Sequence, residues 1–210
     1  MLHLTMQYQQ PPTVVVLAAG QGSRFAAQLG TAHTGHKLEQ GLGTSTVLGT
    51  TLGRVIASGC PLVVVTTARL VPLASTLVAR RDLVVLSEDE ARRGVGHSIA
   101  AGVSERPLAS GWLVLPGDMP LIRASSIRAV ADALREHAVA FSQYRGRRGH
   151  PVGFGAELYS ELIALTGDEG ARRIVARYPA LPVSVDDPGV LVDIDTPTDL
   201  AHARSEQLAL

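Results

Sequence analysis

Residues 13–25 read TVVVLAAGQGSRF, a β-branched and aliphatic run that stops at Gly20, Gly22 and Ser23. Unbroken apolar character from Thr13 to Ala18, with no polar alternation, marks a strand buried on both faces. Such a strand feeding a glycine loop is how a parallel α/β sheet begins. Outward from it, Val47, Leu48, Thr51, Leu52, Val55 and Ile56 repeat at helical spacing until Gly59 and Pro61 stop them, and a strand follows at Leu62 to Thr66. The same rhythm predicts a helix through Leu70 to Val78, a strand at Leu83 to Leu86, a helix from about Ser98 and a strand at Trp112 to Leu115. A helix striped by Ile127, Val130 and Leu134 then precedes a strand at Val139 to Ser142. Ala26 to Gly35 show no period and read as a loop. Strands alternating with helices imply a mostly parallel sheet covered on both faces.

The last quarter reads differently. A polar, arginine-rich turn at Tyr144 to Gly149 leads to a short strand near Val152. Helices around Leu158 to Leu165 and Ala171 to Tyr178 follow, then a strand at Leu181 to Val185. Thr196, Pro197 and Asp199 make a strong helix start, with a capping threonine, a proline at the first helical position and an acid three residues after the cap. No repeat or linker divides the chain, so residues 13–204 are expected to form one domain after an N-terminal tail, 1–12.

The 210 residues carry 19 basic and 19 acidic side chains, a net charge of zero, which argues against a nucleic-acid or polybasic membrane surface. Only 4% are aromatic, too few for a base-stacking platform. Cys60 is the single cysteine, so no internal disulfide forms and a reducing compartment is expected. The N-terminal residues have no basic and apolar leader pattern, and no apolar run is long enough to span a bilayer, which points to the cytoplasm. Lys37 is the one lysine beside 18 arginines. A lysine surviving in such a chain marks a place where a guanidinium is unsuitable.

Three stretches carry chemistry. The loop in LAAGQGSRF, residues 17–25, presents backbone N–H groups and the Arg24 fork, which suits phosphate oxygens and equally an ordinary tight turn. No Gly-Lys-Ser/Thr closes it, so it is not a Walker loop. Phe25 stands where a dinucleotide fingerprint has glycine, and Thr66, Thr67 and Ala68 stand where that fingerprint has an acid, which argues against NAD. In WLVLPGDMP, residues 112–120, Asp118 lies just past a buried strand. It is placed either to hold Mg²⁺ beside substrate phosphates or simply to make a Pro-Gly-Asp turn. In SVDDPGVLVDIDTP, residues 184–197, Asp193 and Asp195 share a face if the chain is extended and either could add a second carboxylate, while Asp187-Pro188-Gly189 reads as a plain turn. His33 and His36, without a third ligand, read as a solvated loop pair. Arg145, Arg147 and Arg148 beside His150 make an anion-binding patch or a solvated basic loop.

Taken in order, LAAGQGSRF followed by a lysine, LPGDMP, GRRGHPVGF, GDEGAR and VDDPGVLVDIDTP resemble the MobA-like nucleotidyltransferases, and most of all the molybdenum cofactor cytidylyltransferases. The likeness runs from Val14 to Ala203. It implies a single-domain, Rossmann-like three-layer sandwich of the nucleotide-diphospho-sugar transferase type. It also implies nucleotide contacts from Leu17, Ala18, Ala19, Gly20, Gly22, Ser23, Arg24 and Lys37, and from Gly96 and Ser98 in GVGHS, the stretch beside the base. Arg24, Lys37 and Asp118 would be catalytic, and Asp118 with Asp195 would hold Mg²⁺. Arg148, His150, Asp168 and Arg172 would border the acceptor. The chain departs from the family pattern in having Ala26 where glycine is usual and 12 residues between Arg24 and Lys37, a longer spacing than the family shows.

The activity so implied is transfer of CMP from CTP to the phosphate of a molybdopterin-type cofactor, with release of pyrophosphate and, downstream, a molybdoenzyme as recipient. The rival readings are nucleotidyl transfer with GTP as donor or a sugar phosphate as acceptor, and a cofactor-handling chaperone without catalysis.

Overall fold

The three consecutive valines Val14, Val15 and Val16 are fully buried, which only an interior strand covered on both faces allows. In the computed structural model, which describes residues 11–29 and 35–208, they form β1 (Thr13–Ala18) near the middle of a seven-stranded sheet. The side chains at 24, 26, 29, 207 and 208 lie outside the described residues, as do His33 and positions 1–10 of the expected tail.

The chain continues through α1 (Ser23–Leu29), a small ribbon of β2 (Gly41–Leu42) and β3 (Ser45–Thr46), α2 (Val47–Ser58) and β4 (Leu62–Thr67). Then come α3 (Val71–Ala74), β5 (Leu83–Leu86), α4 (Glu88–Ala91), α5 (Val95–Ser104), β6 (Gly111–Pro116) and α6 (Ala124–Ala133). The last part holds β7 (Val139–Tyr144), β8 (Arg147–Gly155), α7 (Tyr159–Ile163), α8 (Arg172–Arg177), β9 (Ala180–Ser184) and α9 (Pro197–Leu208).

The sheet order is β5-β4-β1-β6-β8-β7-β9, and β8 alone runs against the others. Val14 pairs with Leu62 on one side and Leu113 on the other. From β1 the chain steps outward to β4 and β5, then returns to place β6 on the opposite flank of β1. That reversal opens a crevice at the carboxyl ends of β1 and β6, where open α/β sheets bind ligands.

Alternating strand residues face two cores. Val14, Val16, Leu113 and Leu115 meet Leu48, Leu52 and Val55 of α2, Ile127 and Val130 of α6 and Leu200 of α9. Val15, Val65, Trp112 and Val114 meet Ile99 and Val103 of α5, Leu162 and Ile174. A Cβ at Gly102 would stand 2.4 Å from Val15 Cγ1, so α5 lies directly on β1. Thr46 caps α2 by accepting from the Gly49 N–H at 3.0 Å, and Gly59, at φ 74, ends it.

Four expectations are corrected. Residues 26–29, read as loop, belong to α1, a helix too short to show a period. The turn read at Tyr144 to Gly149 shrinks to Arg145 and Gly146, at φ 48 and 78, a two-residue hairpin with both residues left-handed. The short strand near Val152 is the nine-residue β8; Arg147 and Arg148 sit at its exposed end and give a strand the composition of a turn. The helix read from about Ser98 starts at Val95, so GVGHS is its first turn rather than a loop before it.

Candidate active site

At the end of β1 the chain turns through Gly20 and Gly22 before Ser23 and Arg24 open α1. Leu17 and Gly117, at the ends of the paired strands β1 and β6, are joined by Gly117 N–H donating to Leu17 O at 2.8 Å. Ala18 and Ala19 are buried, while Gly20 is exposed with open space beside it. Gly22 has φ 63, and a Cβ there would press on Lys37 Cγ at 3.3 Å, so its conformation and its neighbour both require glycine.

The segment Lys37–Glu39 forms a 3₁₀ turn capped by His36. The His36 Nδ1 accepts from Leu38 N–H at 3.2 Å, and its Nε2 donates to Gly20 O at 2.8 Å. One ring nitrogen accepting and the other donating describes a neutral imidazole, and burial, the largest cause, pushes its pKa down. The Glu39 carboxylate accepts from His36 N–H at 2.9 Å and pairs with Arg69 at 2.7 Å. His36 is therefore a clasp between the glycine loop and Lys37, not a solvated loop residue.

Lys37 Nζ lies 2.5 Å from Asp118 Oδ2 and 2.7 Å from Asp195 Oδ1. Burial by itself would lower the lysine pKa, but the Asp118 charge and hydrogen bonds to both carboxylates outweigh it, and the ammonium is held above its ordinary value. Asp118 stands in the turn after β6. Its carbonyl accepts from Ile194 N–H at 2.9 Å, which docks the VDID segment onto that turn. Asp199, within the first turn of α9, accepts from the N–H groups of Asp195 and Thr196 at 3.1 and 2.7 Å and so fixes the segment's far end. Asp193 is exposed on the same segment; partial desolvation first and the Asp118 charge second raise its carboxyl pKa.

One oxygen of this group, Asp118 Oδ1, is buried and has no hydrogen-bond partner. A buried carboxylate oxygen left unpaired fits a cation. Asp118 and Asp195 could hold a divalent ion between them. Among the described residues no three His, Cys, Asp or Glu side chains converge on one point, so nucleotide phosphates and water would complete the coordination, as Mg²⁺ prefers.

Across the crevice from this charge cluster is a cavity of about 610 Å³. Its apolar lining comes from Leu17, Pro116, Val95, Ile99, Val152, Phe154 and Val175. Arg148, His150, Asp168 and Arg172 all line it. The Arg148 guanidinium stacks 4.8 Å from the Phe141 ring centre. Burial, and then the Arg172 charge, lower the Arg148 pKa. Burial likewise lowers that of His150, which hydrogen-bonds the Val114 backbone. Ser98 is buried in the first turn of α5, and the Gly96 N–H donates to Gly167 O at 2.8 Å.

This geometry has a family. Residues 14–182 match the MobA-like NTP transferase domain. The chain belongs to the MobA-like NTP transferase family. It is 32% identical over 120 residues to the purine catabolism protein PucB of Bacillus subtilis, a match covering 55% of this chain and 58% of PucB. The chain thus spans little more than half the length of that curated relative. Its fold is similar to that of a nucleotidyl transferase from Methanothermobacter thermautotroptrophicus, Mth528, at a TM-score of 0.79 and 26% identity over 95% of this chain and 98% of that one. It is also similar to Rv0371c from Mycobacterium tuberculosis, at 0.77 and 25% over 93% and 99%. Rv0371c is known in addition as a complex with manganese.

Within this MobA-like site the structure brings Gly20, Gly22, Lys37, Asp118 and Asp195 together, and Arg148, His150, Asp168 and Arg172 separately around the cavity. The Arg24 side chain lies outside the described residues. Three contributors were missed from sequence. His36 and Glu39 have the three-residue spacing of a capping box, but histidine in place of serine or threonine hid it. Asp187, read as a plain turn, is 2% exposed and accepts from Arg123 N–H at 2.8 Å, Ser126 Oγ–H at 2.7 Å and Gly189 N–H at 3.0 Å, so it bolts the VDID segment to α6.

Proposed function

We propose that the chain transfers CMP from CTP to the phosphate of a molybdopterin-type cofactor and releases pyrophosphate. The observation that carries nucleotidyl transfer is Lys37 held between Asp118 and Asp195 beneath the glycine loop, at the strand-order reversal, with an arginine-lined cavity alongside. The cytosine donor and pterin acceptor rest on the motif likeness of LPGDMP, GRRGHPVGF and VDDPGVLVDIDTP to the cytidylyltransferases.

In this reading the triphosphate lies along Gly20, Gly22 and Ser23, where loop N–H groups face its oxygens. Lys37 and Arg24 place positive charge where negative charge grows on departing pyrophosphate. Mg²⁺ on Asp118 and Asp195 supplies further positive charge to the phosphate oxygens, and the manganese complex of Rv0371c supports a divalent ion there. Arg148 and Arg172 hold the acceptor's phosphate in line with the α-phosphorus. A phosphate nucleophile is already ionised near neutral pH, so the chain needs no general base, and positioning with charge neutralisation carries the rate.

Among the described residues no helix is long and apolar enough to cross a membrane. A cytoplasmic enzyme passing its product to a molybdoenzyme is the setting we infer.

The test is pyrophosphate release from purified protein with each of the four NTPs, Mg²⁺ and molybdopterin cofactor. CTP should exceed GTP in kcat/KM by roughly 10²-fold, because a pocket built to pair one base edge leaves polar groups unsatisfied by another. GTP equal to or above CTP overturns the donor. Release with a sugar phosphate but not with molybdopterin overturns the acceptor.

A further inference from the structure

Four glycines, Gly94, Gly96, Gly167 and Gly170, come from two segments distant in sequence that flank the cavity-lining residues Val95 and Asp168. Gly96 N–H donates to Gly167 O at 2.8 Å, and Gly167 N–H donates to Arg93 O at 3.1 Å, a reciprocal backbone clip between the first turn of α5 and the loop before α8. Gly94 has φ 94, and a Cβ on it would stand 2.4 Å from Gly167 C and 2.6 Å from Asp168 Oδ1. At Gly96 a Cβ would meet the O, C and N of Thr166 at 2.7, 2.8 and 2.9 Å. Gly170, at φ 57, would bring a Cβ to 3.1 Å from Val95 Cγ1. Most of these neighbours are backbone atoms, which cannot swing aside as a side-chain tip can. The approach is closed to any residue but glycine at 94 and 96.

The clipped loop carries Asp168, and Arg172 follows in α8; both line the cavity. We propose that Gly94 and Gly96 are positioning residues for the acceptor: they seat the 166–170 loop on α5 and thereby set Asp168 and Arg172 over the cavity. The proposal rests on the reading of that cavity as the acceptor side of a nucleotidyl transfer. It assigns GVGHS a task beyond the base, since the Gly96 N–H is already spent on the loop.

The test is Gly96→Ala, read in two ways. Amide hydrogen exchange over residues 166–172 should quicken by about tenfold or more while β1 and β6 keep their protection. With CTP as donor, the KM for molybdopterin should rise by about tenfold while the KM for CTP stays within about threefold, because a small displacement of positioning groups is costly only to the substrate they hold. Gly53→Ala in α2, where a Cβ meets nothing within 4 Å, should leave both readouts unchanged.

Should Gly96→Ala fail to fold, Gly167 gives a graded version. It has φ 70 and open space, so Gly167→Ala strains only the backbone and should shift both readouts less and in the same direction. Gly167→Asn, which tolerates the left-handed region, should largely restore them. Unchanged exchange at 166–172, an equal rise in both KM values, or Gly167→Asn as impaired as Gly167→Ala would overturn the clip. The exchange readout needs no turnover. A wild-type protein inactive with molybdopterin, with the quickened exchange still seen in Gly96→Ala, would overturn the assigned acceptor and leave the clip standing.

Discussion

The two ends of the crevice handle charge in opposite ways. At the glycine-loop end one ammonium is enclosed by Asp118 and Asp195, with Asp193 close behind, and the lysine and Asp118 side chains are only 12% and 14% exposed. One buried oxygen, Asp118 Oδ1, lacks a hydrogen-bond partner among the described residues. At the cavity end Arg148 and Arg172 feel each other's charge, and Arg173 pairs with Glu169. The first end offers a buried carboxylate oxygen to a cation, whereas at the second Arg148 and Arg172 share the cavity lining with Asp168 and Glu169. In the proposed transfer, metal and triphosphate would lie at the first end and the anionic nucleophile at the second.

The contrast breaks most visibly at Asp118. Asp118→Asn removes one carboxylate charge beside Lys37 and should lower kcat by roughly 10³-fold, or about 4 kcal/mol, the scale of losing one charge-stabilising group. Steady-state rates at saturating CTP and Mg²⁺ decide it, and a drop of less than about tenfold would remove Asp118 from the reacting centre.

Lys37→Arg keeps the charge balance and changes only its shape. The ammonium is a compact point between two carboxylates, whereas a guanidinium is a broad planar fork, so kcat/KM should fall by about 10²-fold, or about 2.7 kcal/mol. The melting temperature should hold. Wild-type kcat/KM in this variant would mean that the lone lysine is no more than codon bias.

Asp187 separates a structural carboxylate from the reacting ones nearby. Asp187→Ala strips three donors of their buried acceptor and should cost about 2 kcal/mol of stability, a fall in Tm of roughly 4 to 8 °C for a chain of this size. The kcat of the folded fraction should stay near wild type. A thermal melt run beside an initial-rate assay distinguishes the two kinds of aspartate.

Arg148→Ala probes the cavity end. It should raise the KM for the acceptor by about tenfold, the equivalent of about 1.4 kcal/mol, and leave that for CTP alone. Equal rises in both would merge the two ends into one.

The smallest effect belongs to the ion pair beneath Lys37. Arg69 first of all holds the Glu39 carboxyl below its ordinary pKa. The pair's stabilisation is therefore present above the unfolded-state value near 4.3 and is lost as pH falls through the depressed folded value. Because both partners are well exposed, Glu39→Gln at neutral pH should cost no more than about 1 kcal/mol, and salt should erase much of it. Denaturant midpoints at pH 7 and pH 3 should converge for wild type and variant at the lower pH.

Periodicity and punctuation were enough to locate β1 from Thr13 to Ala18, the strand at Leu83 to Leu86 and the start of α2 at Val47, because burial on one or both faces writes itself into local spacing. The order of LPGDMP, GRRGHPVGF and VDIDTP likewise nominated candidate site residues from sequence alone. Which strand lies beside which is not a local property. That β6 returns to the flank of β1, and that β8 enters antiparallel between β6 and β7, depends on long-range pairing that no window of sequence reports. The same holds for Lys37, which meets carboxylates 81 and 158 residues further along the chain. GVGHS read only as the stretch beside the base, and the fold adds the Thr166 and Gly167 backbone packed against Gly96 and Gly94; Asp187 read as a turn until α6 arrived with its donors. Residue type and spacing determined what each segment could do; the tertiary structure decided which of those capacities met, because charge, hydrogen bonding and close packing act between neighbours in space.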